Sequence, residues 1–166
     1  MDVDKITFGK KILIVDDEQD VLDTLYDLLA NCKTDMASTY EQAKQMFEEN
    51  RYDIAILDIM GVDGYGLLEI ANEKKVPAIM LTAHALSEEN LLRSADQGAA
   101  YYAPKEELIN IKEIVAEVVD ALENKKSTWN RMFNRLAGYY DRQFNGPDWR
   151  DKQEEFWKEK LKNYRY

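Results

Sequence analysis

Polar side chains follow the short apolar runs of this sequence at five positions. They are Asp16 and Asp17 after the first run, Asp58 after another, Thr82 after a third, and Lys105 just behind the last. Three of the five are carboxylates, one is a hydroxyl and one is an ammonium group. If the chain brings them together, they form a small polar site with a surplus of negative charge.

Such a group of side chains is suited to phosphoryl chemistry. Crowded carboxylates repel one another, and a divalent cation such as Mg²⁺, which prefers oxygen ligands, relieves the repulsion. One carboxylate can then attack phosphorus and form an aspartyl phosphate. A lysine and a threonine hydroxyl can meet the charge that spreads over the transferring phosphoryl oxygens. We therefore expect a Mg²⁺ site, with Mn²⁺ as the alternative ion.

The elements that would position these residues alternate along the chain. Apolar runs at 11–15, 53–57 and 77–81 predict strands that are buried on both faces, and weaker strands are expected at 35–38 and 99–102. Helical spacing of apolar residues fills each interval and continues to residue 123. The alternation predicts an α/β fold with a doubly wound, five-stranded parallel sheet. Because ligands bind beyond the carboxyl ends of such strands, the five polar residues are expected to converge there.

The last 42 residues differ from the rest in charge and in aromatic content. Residues 1–124 carry 11 basic and 26 acidic side chains, whereas residues 125–166 carry 11 and 6, with all three tryptophans. We predict an α/β domain over 1–124 and a helical extension over 125–166. Helices are expected from Thr128 to Arg142 and from Trp149 to Tyr164, separated by a break at 145–148. The opposite net charges favour docking of the extension on the domain.

Composition excludes several classes of protein. The acidic domain makes nucleic-acid binding unlikely, although the basic aromatic extension keeps a DNA-binding regulator as an alternative. Cys32 is the single cysteine, so no internal disulfide forms. The acidic N-terminus does not resemble a signal peptide, and no apolar stretch is long enough to cross a membrane. A cytoplasmic location without membrane association is expected.

Several segments together resemble the response-regulator receiver family of two-component signalling, over about residues 10–123. They are Ile12–Glu18, Ile56–Asp58, Asp63-Gly64, Met80–Ala83, Gly98-Ala99 with Tyr102, and Lys105. The resemblance implies a flavodoxin-like fold and a phosphoacceptor rather than a classical enzyme. It implies a sensor histidine kinase or phosphotransfer protein as phosphodonor. Output would pass to a downstream protein or to self-association through the C-terminal helices.

The resemblance also assigns roles to single residues. Asp58 is the implied phosphoacceptor, and Lys105 pairs with the phosphoryl group. Asp17 is a direct metal ligand, Asp16 acts partly through water, and Asp58 and the Met60 backbone carbonyl complete the set. Thr82 and Tyr102 form the implied switch pair, in which the hydroxyl moves to the phosphoryl group and the ring turns inward. Met60 and His84 are expected to tune the lifetime of the phosphoryl group.

Two departures from the family pattern keep an alternative open. The loop from Asp58 to Gly64 is shorter than usual, and Glu106 stands where the family has a proline after its lysine. These departures motivate a receiver-like scaffold that works without phosphorylation. Plainer interpretations exist as well: Asp16 and Asp17 could simply cap a helix, and Tyr102 could be a strand residue without a switching role.

Overall fold

Five parallel strands form a single sheet in the computed structural model, which describes residues 1–83 and 86–163. The strands are β1 (Lys11–Val15), β2 (Lys33–Ala37), β3 (Ile54–Asp58), β4 (Ala78–Thr82) and β5 (Tyr101–Pro104), in the spatial order β2-β1-β3-β4-β5. Strands β3 and β4 are buried at every residue because helices cover both faces of the sheet. The predicted doubly wound parallel sheet is confirmed.

Helices lie on both faces of the sheet and beyond its β5 edge. They are α1 (Val3–Thr7), α2 (Gln19–Leu28), α3 (Tyr40–Glu49), α4 (Gly64–Glu73), α5 (Glu88–Asp96), α6 (Ile111–Glu123), α7 (Thr128–Gln143), α8 (Asp148–Asp151) and α9 (Glu154–Lys162), with a 3₁₀ helix at Lys105–Asn110. Helices α2 and α6 pack on one face with α1, while α3 packs on α4 and β2, and α4 packs on β3 and β4. The buried apolar residues form one continuous core, which includes Trp149 and Trp157 of the last two helices.

The short helix α1 is absent from the sequence-based prediction. The Asp2 side chain caps it by accepting a hydrogen bond from the Lys5 backbone N–H, and the Thr7 hydroxyl bonds back to the Val3 carbonyl at 2.8 Å. Helix α1 packs against α6, where Asp4 pairs with Lys112. Five residues are too few to show a clear apolar period, so tertiary contacts rather than local pattern stabilise this helix.

The C-terminal extension (residues 125–166) contains three helices among its described residues instead of the expected two. Ser127 caps α7, which ends at Gln143, and left-handed Asn145 and Gly146 make the predicted break. The second expected helix, Trp149 to Tyr164, is divided into α8 and α9 by a turn at 152–153. That prediction was wrong because both Trp149 and Trp157 pack on the Phe133 ring, at 5.3 and 5.2 Å between centroids.

The extension docks on β5 and α6 through polar bonds between buried groups. The Trp129 indole N–H donates to the Ala99 carbonyl at 2.9 Å, and the Tyr140 hydroxyl donates to the Tyr102 carbonyl at 2.8 Å. Glu117 is a buried acid of α6, and Arg135 of α7 donates to it at 2.7 Å. A buried carboxylate requires such a partner, so the α/β unit depends on the extension for its charge balance.

Apolar burial makes this docking strong. Four large side chains of α7 are at most 5% exposed: Trp129, Met132, Leu136 and Tyr140. Complete burial of one such side chain contributes about 1.5–3 kcal/mol, so the four together contribute on the order of 6–12 kcal/mol. We therefore expect the extension and the α/β unit to unfold together.

The first prediction concerns this cooperativity. Replacing Leu136 by alanine should lower the free energy of unfolding by about 2–4 kcal/mol, because it leaves a cavity between α7 and the α/β unit. The exposed neighbour Asn134 provides the control, and Asn134→Ala should change stability by less than about 0.5 kcal/mol. Urea unfolding should be followed by tryptophan fluorescence, which reports only on the extension, and by far-ultraviolet circular dichroism. An extension that unfolds at lower urea than the rest would contradict cooperative docking.

Candidate functional site

The strand order creates a crevice at the carboxyl edge of the sheet. The chain passes from β1 outward to β2 and then returns to the other side of β1 to form β3. The crossover connections therefore diverge between β1 and β3, which is where open α/β sheets bind ligands. Asp58 is the last residue of β3, and Asp16 directly follows β1. Both carboxylates are buried at this point, with exposures of 5% and 1%.

Lys105 enters the crevice from the end of β5 and joins the two carboxylates. Its ammonium nitrogen lies 2.9 Å from Asp16 Oδ2 and 3.5 Å from Asp58 Oδ1. Asp16 Oδ1 accepts a hydrogen bond from the Glu18 backbone N–H at 2.9 Å. The structure thus brings together three of the residues that were singled out in the sequence. The Lys105–Glu106 peptide bond that follows is trans.

Burial controls the protonation of this group. It raises the pKa of Asp58 to about 7, with the Asp16 charge adding to the rise and the Lys105 charge opposing it. Burial also raises the pKa of Asp16, against its hydrogen bond from the Glu18 N–H and its contact with Lys105. Desolvation lowers the pKa of Lys105, but the two carboxylates outweigh it and raise the pKa above its ordinary value. One ammonium group therefore does not fully compensate two buried carboxylates.

The loop between β3 and α4 is shaped by close backbone approaches. Gly61 adopts a left-handed φ of 86°, and the Asp17 carboxylate lies against it so closely that a Cβ atom would overlap the carboxylate. Gly64 likewise touches the Asp58 backbone carbonyl, which a Cβ atom would displace. Left-handed Asp63 caps α4 by accepting from the Gly66 N–H at 3.1 Å. The short loop therefore places the Met60–Gly61 peptide beside Asp17.

The donor set fits a hard divalent cation. Asp16, Asp17 and Glu18 offer carboxylate oxygens within 4.8 Å of one another, and Asp17 and Glu18 are exposed at the mouth of the crevice. Asp16 Oδ2 is an ion-pair partner of Lys105, but within the described chain it accepts no aligned hydrogen bond. Oxygen-only donors with room for water are what Mg²⁺ prefers. Glu18 was not predicted as a donor from the sequence, although its position directly after Asp17 was a usable signal.

Comparison with known proteins decides the family. The sequence model of one protein family, described as the response regulator receiver domain, matches residues 12–119. The chain belongs to the response regulator receiver family. Among curated proteins, it is 32% identical over 140 residues to the two-component response regulator ARR10 of Arabidopsis thaliana, covering 77% of this chain and 25% of that protein. It is 34% identical over 100 residues to the regulatory protein VanRB of Enterococcus faecalis, covering 57% and 45%.

Solved structures agree with the family assignment. A CheY-like response regulator receiver domain protein from Methanospirillum hungatei JF-1 superimposes with a TM-score of 0.64 at 28% identity. The match covers 70% of this chain and 98% of that one. The curated relatives are longer, since the chain spans only 18% of the Arabidopsis regulator ARR18 and 25% of ARR10. The shared part is therefore the receiver, a module of two-component signalling.

The two residues expected to switch lie on neighbouring strands of the receiver. Thr82 ends β4 and is 1% exposed, while Tyr102 lies on β5 and is fully buried. The register pairs Met80 with Tyr102 and Thr82 with Pro104, so both side chains are on the same face of the sheet. Although β5 is the last strand of the sheet, Tyr102 is fully buried because α7 packs against this strand. His84 lies outside the described residues.

The structure bears on one plainer interpretation, in which Asp16 and Asp17 only cap a helix. Helix α2 is capped at Glu18 without a side-chain hydrogen bond, so neither Asp16 nor Asp17 serves as its N-cap.

Within the described part of the chain, no helix is long and apolar enough to cross a membrane. Some basic residues of the extension form ion pairs with the receiver, such as Arg131 with Asp120 at 2.6 Å.

The second prediction follows from the raised pKa of Asp58. In the unfolded chain the pKa of this carboxyl is about 3.9. In the folded protein it is about 7. Between these values the folded protein keeps a proton that the unfolded chain has lost, so the free energy of unfolding falls as pH rises through this window. Asp58→Asn removes this dependence. The free energy of unfolding of the variant, relative to that of wild type, should therefore be about 2–3 kcal/mol higher at pH 8 than at pH 5.

Urea unfolding in the presence of a chelator measures this gain without bound metal. The exposed carboxylate of Asp27 on α2 gives the matched control, since Asp27→Asn should produce the same difference from wild type at both pH values. An Asp58→Asn variant whose stability relative to wild type is equal at pH 5 and pH 8 would contradict a buried, charge-crowded Asp58.

Proposed function

We propose that Asp58 accepts a phosphoryl group from the phosphohistidine of a sensor histidine kinase or phosphotransfer protein. A carboxylate oxygen of Asp58 forms a bond to phosphorus while the bond from phosphorus to the histidine nitrogen breaks, and the nitrogen keeps the electron pair. With acetyl phosphate as donor, the broken bond is to the acetate oxygen. The observation that supports this proposal is the buried Asp58 carboxylate beside Asp16, 3.5 Å from the Lys105 ammonium.

The surrounding residues would compensate the charge of the transferring group. Lys105 is close enough to pass from Asp16 to a phosphoryl oxygen on Asp58, and the Thr82 hydroxyl would donate to another. A bound Mg²⁺ or Mn²⁺ would supply positive charge for the phosphoryl oxygens and relieve the repulsion between the carboxylates. Its ligands would be Asp17, Asp58 and the Met60 carbonyl, with Asp16 acting through water.

Release of the phosphoryl group would be hydrolysis of the same bond. Water attacks phosphorus, the Asp58 carboxylate leaves, and inorganic phosphate departs. The protein would catalyse only its own phosphorylation and dephosphorylation. The Met60 side chain is 56% exposed beside the crevice, where it can limit the approach of water, and His84 is proposed to act with it.

The output would be a change in protein contacts rather than DNA binding. Phosphorylation would shift a two-state equilibrium through Thr82 and Tyr102 and alter the surface formed by α5, β5 and α6. A downstream protein or a second copy of this chain would bind there, and we place this exchange in the cytoplasm. Arg131 and Arg135 of the extension pair with acidic side chains of the receiver, which disfavours the DNA-binding alternative.

The third prediction tests the phosphoacceptor. Incubation with acetyl phosphate and Mg²⁺ should give a slower band in phosphate-affinity electrophoresis, and Asp58→Ala should abolish it. Asp27→Ala, an exposed carboxylate away from the crevice, should leave it unchanged. Asp17→Asn should require at least about tenfold more Mg²⁺ for the same band, because it removes a carboxylate ligand. Chelation should prevent the reaction.

Size-exclusion chromatography of the same samples separates the proposed outputs. A size increase that requires Asp58 would favour self-association, and an unchanged size would favour a separate partner protein. A slow band that persists in Asp58→Ala would assign the phosphoryl group to another residue. The absence of any band in wild type under excess donor would favour the phosphorylation-independent scaffold.

A further inference from the structure

The C-terminal extension contacts each element that follows Thr82 in the receiver. Trp129 bonds to the Ala99 carbonyl just before β5, and α7 packs along β5 and α6. Near the start of α5, Lys152 approaches Glu88 at 3.9 Å. The extension therefore contacts the start of α5 as well as β5 and α6.

Tyr140 of the extension contacts the proposed switch tyrosine. Its hydroxyl donates to the Tyr102 backbone carbonyl at 2.8 Å, and the two ring centroids are 5.8 Å apart. The Tyr102 hydroxyl in turn accepts from the backbone N–H of Ser87, the N-cap of α5, at 3.4 Å. Tyr102 is thus held between the start of α5 on one side and α7 on the other.

Tyr140 is itself held firmly. It is fully buried, and its ring stacks on Phe144 with centroids 5.5 Å apart and planes 9° apart. Trp149 packs edge-on against it at 6.0 Å. A ring fixed in this way can hold Tyr102 in place instead of adapting to its movement.

We propose that Tyr140 is a positioning residue for Tyr102 and thereby couples the extension to the phosphoryl state of Asp58. This inference rests on the function proposed above, in which Thr82 and Tyr102 respond together. Tyr140 fixes the Tyr102 backbone through its hydrogen bond and packs beside the buried Tyr102 ring. In the function proposed above, this inward position of the ring accompanies a phosphoryl group on Asp58. The docked extension then favours the phosphoryl-bound state, and by reciprocity an occupied Asp58 changes the packing around Tyr140.

Two neighbouring tyrosines of α7 allow a matched test. Tyr140→Phe keeps the ring and removes only the hydrogen bond to the Tyr102 carbonyl. Tyr139→Phe makes the same chemical change one residue away, where the hydroxyl donates to the Glu106 side chain at 3.1 Å. Phenylalanine preserves the packing at both positions, and circular dichroism verifies that the variants are folded.

Beryllofluoride with Mg²⁺ serves as the phosphoryl mimic, and its occupancy of Asp58 is measured directly by fluorine nuclear magnetic resonance. Tyr140→Phe should raise the concentration for half occupancy roughly two- to tenfold, the effect of one neutral hydrogen bond, while Tyr139→Phe should match wild type. Tryptophan fluorescence should change saturably with occupancy in wild type, since Trp129, Trp149 and Trp157 all lie in the extension. Asp58→Asn should show neither response.

The possible results separate this inference from the function on which it rests. A bound fluorine signal with unchanged tryptophan fluorescence and equal affinities in the three proteins would overturn the coupling and leave Asp58 as the acceptor. Tighter binding by Tyr140→Phe would overturn the proposed direction. No bound signal in wild type would overturn the phosphoacceptor proposal and the coupling with it.

Discussion

The burial of Asp16 and Asp58 beside a single ammonium group is the interaction on which the rest of the site depends. Two like charges removed from water are costly, and the pKa of Asp58, raised to about 7, reflects that cost. Lys105 is nearer to Asp16 than to Asp58, so it compensates one carboxylate better than the other. The remaining negative charge favours a divalent cation, and a phosphoryl group on Asp58 would add the negative charge that such a cation and Lys105 can share.

The sheet positions the two buried carboxylates, and the extension packs on the strand that carries Tyr102. Parallel strands put Asp58 and Asp16 at one edge, and Gly61 lets Asp17 close over the loop beside them. Strand β5 is the last strand of the sheet, and α7 packs against it and covers Tyr102. Without α7 this edge would be exposed. Helix α7 thus covers part of the surface that we propose for output. A response to phosphorylation through this surface would have to change an interface that is already filled.

The sequence predicts the parts of the fold that depend on the local pattern of apolar and polar residues. The apolar runs that end at Asp58 and Thr82 are central strands, and their polar ends meet because parallel strands share an edge. The hydrogen bond from Tyr140 to Tyr102 could not be predicted, because these residues are 38 positions apart and no periodicity links them. The break before α9 was missed for the same reason: Trp157 reaches a ring on another helix.

Chemical trapping of the phosphorylated residue identifies which carboxylate is the nucleophile. The protein is treated with acetyl phosphate and Mg²⁺ and reduced with borohydride, which converts an aspartyl phosphate to homoserine. It is then digested for peptide sequencing by mass spectrometry. We expect homoserine at position 58 and at no other acidic residue of the crevice. Homoserine at Asp16, Asp17 or Asp63 instead, or its absence from a sample with a phosphorylated band, would contradict the assignment of Asp58 as the nucleophile.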